Sequence, residues 1–247
     1  MDIEIWALHG FLGDPTDFQS LSASIPWAKF HAVDLVQTLE SSDGFHDWSC
    51  SFLEGIPKSS SKKILMGYSM GGRLALHVMK QQKQSQQKVF DAFVLLSAGL
   101  GLKTEQEKQQ RILDDQKWVE NFVEKPWDQA IAVWNSQSVF QFSPEKTVDE
   151  KPWPSWAIQK ALTCFGLAAQ EDFRSMVKST KIPTLYVLGE MDFKYQNMWK
   201  EIGFSEYLQK LIIMNQGHRV LKGSQEILST SLLNFVIDHF QSTEHAP

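Results

Sequence analysis

The stretch from residue 62 to residue 80 constrains the fold of this chain more than any other. A short apolar run, residues 64–66, ends at Gly67, and a helix-like pattern covers residues 73–80. Between them lies Gly67-Tyr68-Ser69-Met70-Gly71, with a glycine two positions either side of a serine. A strand that turns sharply into a helix strains the backbone of such a serine and leaves no room for side chains at the glycine positions. The pattern therefore predicts a nucleophile elbow, with the serine hydroxyl exposed above a helix N-terminus.

Length and composition fit one large α/β domain and argue against several functional classes. The 247 residues are 43% hydrophobic and 21% charged, as in folded globular proteins. A net charge of -5 argues against a nucleic-acid surface. The two cysteines, Cys50 and Cys164, show no spacing typical of a metal site or a disulfide framework. Since no basic leader precedes the first strand and no apolar stretch approaches the ~18 residues that span a bilayer, we expect a cytoplasmic enzyme without a metal or other cofactor.

Apolar runs alternate with helix-like stretches at both ends of the chain. Predicted strands cover residues 3–8, 30–33, 64–66, 90–97, 184–188 and 211–214, and predicted helices cover 17–23, 47–53, 73–80 and 225–240. This alternation is typical of a mostly parallel sheet flanked by helices. The polar run at residues 80–88 is expected to be a solvated helix end and loop. The residues expected on the apolar side of the last helix are Ile227, Leu228, Leu232, Phe235 and Val236.

Residues 103–178 interrupt this alternation with a helical, charged pattern that prolines divide into segments. We expect this insertion to form a helical cap whose aromatic side chains wall a pocket, above a core made of residues 1–102 and 179–247. Simple packing of the rings against the core is the alternative. Five of the nine tryptophans lie in the insertion: Trp118, Trp127, Trp134, Trp153 and Trp156.

Ser69 has a candidate base and a candidate acid further along the chain. A nucleophilic serine needs a base, and a histidine base needs a carboxylate to fix its tautomer. Asp192 and His218 each follow a predicted strand. The order Ser, Asp, His, with each member after a strand, predicts a catalytic triad rather than an ordinary glycine-rich turn. The weaker candidates are Glu190 for the acid and His77, His239 and His245 for the base.

Backbone N–H groups supply the anion-binding part of such a site. His9-Gly10-Phe11-Leu12-Gly13 follows the first strand, and Met70 follows Ser69 directly. We predict that the N–H groups of Phe11 and Met70 form an oxyanion hole. His9 itself is expected to hold its loop in place rather than to take part in catalysis.

Four stretches resemble one known family closely, and the resemblance extends over essentially the whole chain. On these motifs the chain is similar to the 2-succinyl-6-hydroxy-2,4-cyclohexadiene-1-carboxylate synthases, which are lyases of menaquinone biosynthesis with the α/β-hydrolase fold and a helical cap. The arginine that ends the second stretch is unusual among general hydrolases. The stretches are His9-Gly10-Phe11-Leu12-Gly13, Gly67-Tyr68-Ser69-Met70-Gly71-Gly72-Arg73, Gly189-Glu190-Met191-Asp192-Phe193-Lys194 and Gly217-His218.

The resemblance implies a proton abstraction followed by loss of pyruvate. The family's substrate, 2-succinyl-5-enolpyruvyl-6-hydroxy-3-cyclohexene-1-carboxylate, is a small anion with several carboxylates, so neither a nucleic acid nor a membrane is expected as partner. His218 would activate Ser69, and this pair would remove a proton from the ring carbon beside the succinyl ketone. No oligomeric state is indicated. The substrate-binding residues expected from the resemblance are Tyr68, Arg73, Arg111, Trp134 and Lys160.

The chain departs from the family pattern in three places. Residues 34–37 lack the Pro-Gly-His-Gly loop common in the superfamily, and the usual second histidine and proline after His218 are missing. In the middle of the insertion no basic residue matches the family's clearly, since only Lys146, Lys151 and Lys160 are near. These departures affect the expected substrate-binding residues more than the expected catalytic residues.

Two other functions fit the same motifs. A serine carboxylesterase or thioesterase of the same fold is the main alternative, because a fold and a triad do not fix the reaction. A binding protein with a relict pocket is the other. Ester turnover would favour the esterase, and pyruvate release without ester turnover would favour the lyase. Ligand binding that survives loss of Ser69, without turnover of either substrate, would favour the binding protein.

Overall fold

Six parallel strands form the central sheet in the computed structural model, which describes residues 2–147, 153–203 and 205–241. Their order across the sheet is β2-β1-β3-β4-β5-β6. The chain therefore starts at the second strand from one edge, forms that edge with β2 and then adds β3 to β6 in order on the other side, which confirms the prediction of a mostly parallel sheet. The strands are β1 (Ile3–Leu8), β2 (Lys29–Val33), β3 (Lys62–Tyr68), β4 (Ala92–Leu96), β5 (Thr184–Gly189) and β6 (Leu208–Ile213).

Ten α-helices are found in the described residues, and they cover both faces of the sheet. Those before the insertion and the last one alternate with the strands, as βαβ connections require. The helices are α1 (Gln19–Ala23), α2 (Leu35–Leu39), α3 (Phe45–Gly55), α4 (Met70–Ser85), α5 (Glu105–Glu124), α6 (Trp127–Asn135), α7 (Ser155–Thr163), α8 (Arg174–Ser179), α9 (Phe193–Lys200) and α10 (Gln225–Val236).

Alternating side chains of the central strands feed two hydrophobic clusters, one on each face of the sheet. On β3, Ile64 and Met66 join the cluster that includes residues of α1 and α10. Leu65, between them, joins the cluster that includes residues of α2, α3 and α4. Because both faces are covered, the inner strands are buried throughout, and β4 has no exposed residue at all.

The sequence predictions missed the ends of several elements. Strand β6 begins at Leu208, three residues before the predicted start, because its first residues pair with β5 at the edge of the sheet and carry polar side chains that hide the strand pattern. Helix α4 continues through the polar run to Ser85. The α-helix α10 ends at Val236 and continues as a single π-helical turn to Gln241. Ile227 is 48% exposed, so its assignment to the apolar side of α10 was wrong.

The insertion consists of helices and turns wherever the structure describes it. Helices α5 to α7 and a 3-10 turn at Ser138–Phe140 fall within residues 103–178, α8 begins there and ends one residue later at Ser179, and the described part of that range contains no strand. Helix α5 begins at a capping box in which Thr104 and Glu107 bond each other's backbone N–H groups. No helix among the described residues is long and apolar enough to cross a membrane.

Candidate active site

Ser69 occupies the sharp turn between β3 and α4. Its backbone has φ 50° and ψ -104°, a conformation that L-residues rarely adopt. The glycines make the turn possible because a Cβ at Gly71 would collide with the carbonyl oxygen of Leu8, and a Cβ at Gly67 would collide with that of Gly71. The nucleophile-elbow pattern thus has the local geometry that the sequence predicted.

Two hydrogen bonds connect Ser69, His218 and Asp192. His218 Nε2 lies 3.0 Å from Ser69 Oγ, and His218 Nδ1 lies 2.8 Å from Asp192 Oδ2. A carboxylate only accepts hydrogen bonds, so Nδ1 carries the imidazole proton and Nε2 is left to accept the serine proton. Asp192 is 2% exposed and His218 3% exposed, which keeps water from competing for either bond. Asp192 follows β5 and His218 follows β6, so three strand ends bring the three residues together.

The rival acid and the rival bases lie elsewhere. Glu190 Oε2 accepts the backbone N–H of Asn215 at 3.0 Å and so supports the turn that leads to His218. His77 is buried, with its ring stacked 4.0 Å from that of Phe45. His239 contacts Gln209 at the far edge of the sheet, and His245 lies outside the described residues.

The two residues predicted to form the oxyanion hole lie near the serine: Met70 follows Ser69 directly, and Phe11 lines the same cavity. Met70 is the first residue of α4, and the first N–H groups of a helix have no partner within the helix. Gly10 lies directly against the elbow, since a Cβ there would be 2.9 Å from the Tyr68 ring and 3.6 Å from the Ser69 Cβ. Assigning the two N–H groups to an oxyanion hole remains a prediction.

His9 holds the loop that carries Phe11. Its ring is fully buried, with Nδ1 2.9 Å from the Gly10 oxygen and Nε2 accepting the Leu35 N–H at 3.0 Å. Burial lowers the pKa of His9, although nearby carboxylates such as Asp17 oppose this shift. A neutral imidazole with both nitrogens bonded has no free site for a substrate, so the geometry gives His9 a structural role.

A cavity of about 330 Å³ opens beside Ser69 and His218. Phe11 and Tyr68 line it from the core, while Trp134 and Phe140 line it from the insertion. Three cationic side chains and one carboxylate also line it: Lys146, Arg219, Lys222 and Asp17. A cavity of this size and charge suits a small anionic molecule.

The charged groups of the cavity are strongly affected by burial. Desolvation lowers the pKa of Lys146 to about 8, and the positive charges of Lys222 and Arg219 act in the same direction. Burial also raises the pKa of Asp17, despite the attraction of Lys146. Burial thus favours the neutral forms of Lys146 and Asp17 more than it would in a pair at the surface.

Arg73 lies one helical turn after Ser69 on α4, but it is not among the residues that line this cavity. Its Nε is buried and has no hydrogen-bond partner within the described part of the chain. Burial lowers the pKa of Arg73 to about 10, with Arg111 adding to the shift and Tyr195 and Asp115 opposing it. The Tyr195 ring lies 4.6 Å from that of His218, and the charges of Arg73 and Arg111 both act on Tyr195.

Arg111 and Lys160 differ in how well they fit their predicted roles. Arg111 binds Asp115 through two hydrogen bonds, of 2.9 Å from Nε and 2.6 Å from a terminal nitrogen, and it faces the same region as Arg73. Lys160 instead donates from Nζ to the Glu40 carbonyl oxygen at 2.7 Å and lies outside the cavity. Helix α7 points its side chain toward the end of α2. We therefore withdraw Lys160 from the expected substrate contacts.

Aromatic side chains join the insertion to the core above the cavity. The Phe11 ring lies 5.0 Å from that of Trp134 and 5.5 Å from that of Trp153, and Trp153 Nε1 donates to the Gly13 oxygen at 2.8 Å. Trp156, by contrast, is 39% exposed and lies away from the cavity lining. The insertion thus contributes side chains to the cavity wall, although not every tryptophan takes part, and the division of the chain into a core and a cap stays a prediction.

Sequence reasoning missed several residues of the cavity, among them Asp17, Lys222, Arg219 and Phe140. Arg219 was not considered, although it directly follows His218, and the only signal there was the absence of the family's second histidine. Phe140 lies in a short 3-10 turn that has no periodic pattern. Among the described residues, no group of three or more potential metal ligands is found.

Comparisons with known proteins agree with this geometry. A family model described as alpha/beta hydrolase fold matches residues 23–166. A Haemophilus influenzae protein, provisionally named a 2-succinyl-6-hydroxy-2,4-cyclohexadiene-1-carboxylate synthase, is 33% identical over 81% of this chain and 85% of its own length. The chain belongs to this synthase family. The synthase of that name from Enterobacter sp. is 28% identical over 85% of this chain and 83% of its own length.

Solved structures show the same fold as this member of the synthase family. MenH from S. aureus superposes with a TM-score of 0.84 at 21% identity, covering 96% of this chain and 94% of its own. A thermophilic esterase from Thermogutta terrifontis gives a TM-score of 0.66 at 14% identity over 97% of this chain and 91% of its own. The α/β-hydrolase fold expected from the sequence is therefore confirmed. The chain is an enzyme of the α/β-hydrolase superfamily.

Proposed function

We propose that this enzyme is a lyase of menaquinone biosynthesis that removes pyruvate from 2-succinyl-5-enolpyruvyl-6-hydroxy-3-cyclohexene-1-carboxylate. The product is 2-succinyl-6-hydroxy-2,4-cyclohexadiene-1-carboxylate, the compound in the names of its relatives. Membership of the synthase family supports the substrate. The hydrogen-bonded Ser69, His218 and Asp192 support the chemistry, because the arrangement supplies a base in a site that is largely closed to water.

The first step is removal of a proton from the ring carbon beside the succinyl ketone. His218 Nε2 accepts the Ser69 hydroxyl proton, and the serine oxygen takes the proton from carbon, so that the imidazole ends with a positive charge. Asp192, held against Nδ1, stabilises that charge. The electron pair left by the C–H bond moves onto the ketone oxygen and forms an enolate.

The second step breaks the ring C–O bond to the enolpyruvyl group. N–H groups that stabilise a tetrahedral intermediate can equally stabilise an enolate oxygen, and we assign this task to Phe11 and Met70. When the enolate collapses, the ring gains a double bond and the enolate of pyruvate departs. Protonation of that enolate on carbon, with the proton taken up in the first step, gives pyruvate and restores the base.

Arg73, whose Nε is buried, is the residue that most favours the lyase over an esterase. This Nε has no partner in the described part of the chain, and burial lowers the pKa of the guanidinium to about 10. A carboxylate of the substrate would pair with that charge through two parallel hydrogen bonds. We assign Arg111, whose charge acts on Arg73, to the same carboxylate, and we expect Tyr68 and Trp134, which line the cavity beside Ser69, to contact the substrate.

An assay of pyruvate release with the cyclohexene substrate tests this proposal. We expect the wild-type enzyme to release pyruvate and to leave a nitrophenyl ester of a short acid essentially unhydrolysed. The Ser69→Ala variant is the matched control, since it keeps the fold and removes only the hydroxyl. Rapid ester hydrolysis without pyruvate release would reject the lyase and leave a carboxylesterase with the same triad.

A further inference from the structure

Arg219, the residue after His218, connects the turn beyond β6 with the insertion. It is 7% exposed. One terminal nitrogen of its guanidinium donates to the Pro144 oxygen at 2.6 Å, and the other donates to Asn135 Oδ1 at 2.7 Å. Its backbone N–H donates to Ser143 Oγ at 3.1 Å. Three hydrogen bonds from one residue thus reach three points of the insertion.

The same guanidinium packs against the aromatic wall of the cavity. Its carbon lies 4.0 Å from the centre of the Phe140 ring, which is the geometry of a cation–π contact. The Phe140 ring in turn lies 5.7 Å from that of Trp134 and 5.8 Å from that of His218. Arg219 therefore contacts the side chain that stands between the insertion and the histidine.

The backbone on both sides of this contact fits closely. A Cβ at Gly217 would lie 2.7 Å from the Phe142 oxygen, so the turn that carries His218 packs directly on residues 142–144. Asn135 also bonds the backbone of Lys146 in both directions, at 2.9 and 3.1 Å. We define residues 135–146 as the cap segment. The bonds of Asn135 to Lys146 join its two ends, and Arg219 binds it from the turn that carries His218.

We propose that Arg219 is a positioning residue that fastens the cap segment to the turn carrying His218 and so fixes the cavity wall beside Ser69. Two of the five guanidinium N–H groups bind the cap segment, and through this segment and Phe140 the guanidinium shapes the wall against which the substrate binds. The expected effect of Arg219 on substrate binding rests on the proposed function, whereas its effect on the attachment of the cap segment does not.

Hydrogen exchange on the intact chain tests the fastening without any substrate. We expect Arg219→Ala to speed exchange of amides in residues 136–146 by roughly tenfold or more, because the segment opens locally more often. Arg174→Ala is the matched control. Arg174 also bonds a backbone oxygen, that of Gly101 at 3.2 Å, and carboxylates, but it lies away from the cavity. Unchanged exchange in Arg219→Ala, or equal acceleration in the control, would overturn the proposal.

Asn135→Ala provides a second route should Arg219→Ala fail to fold. It removes one acceptor of the guanidinium, leaves the arginine in place and also removes the two bonds to the Lys146 backbone, so exchange in residues 136–146 should again accelerate. Where both single variants fold, the acceleration at residues 136–145 in the double variant should fall short of the sum of the two single effects, since the two side chains share one contact. Fully additive effects would mean that the residues act independently and would contradict the proposal.

Steady-state kinetics of pyruvate release separate positioning from a direct charge effect. We expect Arg219→Ala to raise KM by about tenfold while kcat stays within about threefold, because the wall loosens and the triad remains. Arg219→Lys should recover only part of this, since one ammonium cannot reproduce the two-sided contact. Full recovery of KM in Arg219→Lys while exchange stays fast would show that charge alone matters and would overturn the proposal. Failure of the wild type to release pyruvate, with the exchange result intact, would instead reject the proposed function.

Discussion

The wall of the cavity formed by strand ends and the wall formed by the insertion are held by different kinds of contact. On the strand-end side, Ser69, His218 and Asp192 follow three strands of one sheet and are joined by two buried hydrogen bonds. On the insertion side, Trp134 and Phe140 reach the cavity from a helix and a short turn. Their main links to the core are ring contacts and the hydrogen bonds of Arg219.

This difference divides the expected roles of the two walls. Strand ends in a sheet with a buried core move little, so they suit groups whose reacting atoms must stay within a fraction of an ångström. A wall held by a few contacts can adjust to a ligand at a smaller cost in free energy. We therefore expect substitutions in the strand-end wall to affect kcat and those in the insertion wall to affect KM.

The largest effects should follow substitutions of the strand-end residues. Ser69→Ala, His218→Ala and Asp192→Asn should each lower kcat for pyruvate release by about 10⁴-fold, and combined variants should lose little more, because the three residues act as one unit. Glu190→Gln is the matched control. It changes a carboxylate two positions before Asp192 that bonds Asn215 instead of the histidine, so kcat should remain within about threefold.

Pyruvate release in stopped assays and the melting temperature would be measured for each variant and for the wild type. Each variant should melt close to the wild-type temperature, which would show that its lower activity comes from impaired catalysis and not from unfolding. Near-normal turnover in Ser69→Ala would remove the serine from the mechanism. A Glu190→Gln variant as inactive as Asp192→Asn would mean that the acid had been misassigned.

Arg73, on α4, should give the next largest effect. Arg73→Ala should lower kcat/KM by some tens- to hundreds-fold, or about 2–4 kcal/mol, because a partly desolvated pair with a substrate carboxylate is lost. Arg73→Lys keeps the charge without the bidentate geometry and should already be impaired. Pyruvate release in Arg73→Ala within about twofold of wild type would remove the carboxylate site and weaken the case against an esterase.

The strand-end wall could be predicted from the sequence because local patterns determine it. Gly67 and Gly71 mark the elbow, and Asp192 and His218 each follow an apolar run, so the topology of the sheet alone brings them together. The edge strand β6 was less clear, since Gln209 and Lys210 interrupt its apolar pattern. Even there, the position of His218 after the strand was unaffected.

The insertion wall could be predicted only as a region. Its tryptophans indicated aromatic packing, but nothing local distinguishes Trp134, which lines the cavity, from Trp156, which faces solvent. That difference depends on how the helices dock, and docking depends on contacts far apart in the sequence. The bond between Arg219 and Asn135 joins residues 84 positions apart and leaves no trace in either neighbourhood.

A third prediction concerns α4, the helix that joins the site to the core. Ser69, Arg73 and His77 follow one another at four-residue spacing, so they share one side of the helix. Burial lowers the pKa of His77 to about 3, and its Nε2 has no partner among the described residues. Because the unfolded chain binds the proton more readily, stability is fully present above about pH 6.5 and falls by roughly 1.4 kcal/mol for each pH unit below it, down to about pH 3.

Urea unfolding at pH 7 and pH 4.5 measures this effect. The free energy of unfolding of the wild type should fall by about 3 kcal/mol more than that of His77→Leu over this interval. Activity at pH 7 should change far less than in the Arg73 variants, since His77 contacts Phe45 and Phe173 rather than the cavity. An identical pH dependence in both proteins would show that His77 is protonated without penalty, contrary to its burial.

The smallest effects should distinguish two lysines of the insertion. Lys146 lines the cavity, whereas Lys160 donates to the Glu40 carbonyl oxygen outside it. Lys146→Met should raise KM for pyruvate release by several-fold, about 1 kcal/mol, because a poorly hydrated positive charge beside an anionic substrate is removed. The matched variant Lys160→Met should leave KM within about twofold. A larger effect on KM in Lys160→Met than in Lys146→Met would place the substrate against α7. The insertion would then cover Ser69 in a different position from the one that the contacts of Arg219 fix.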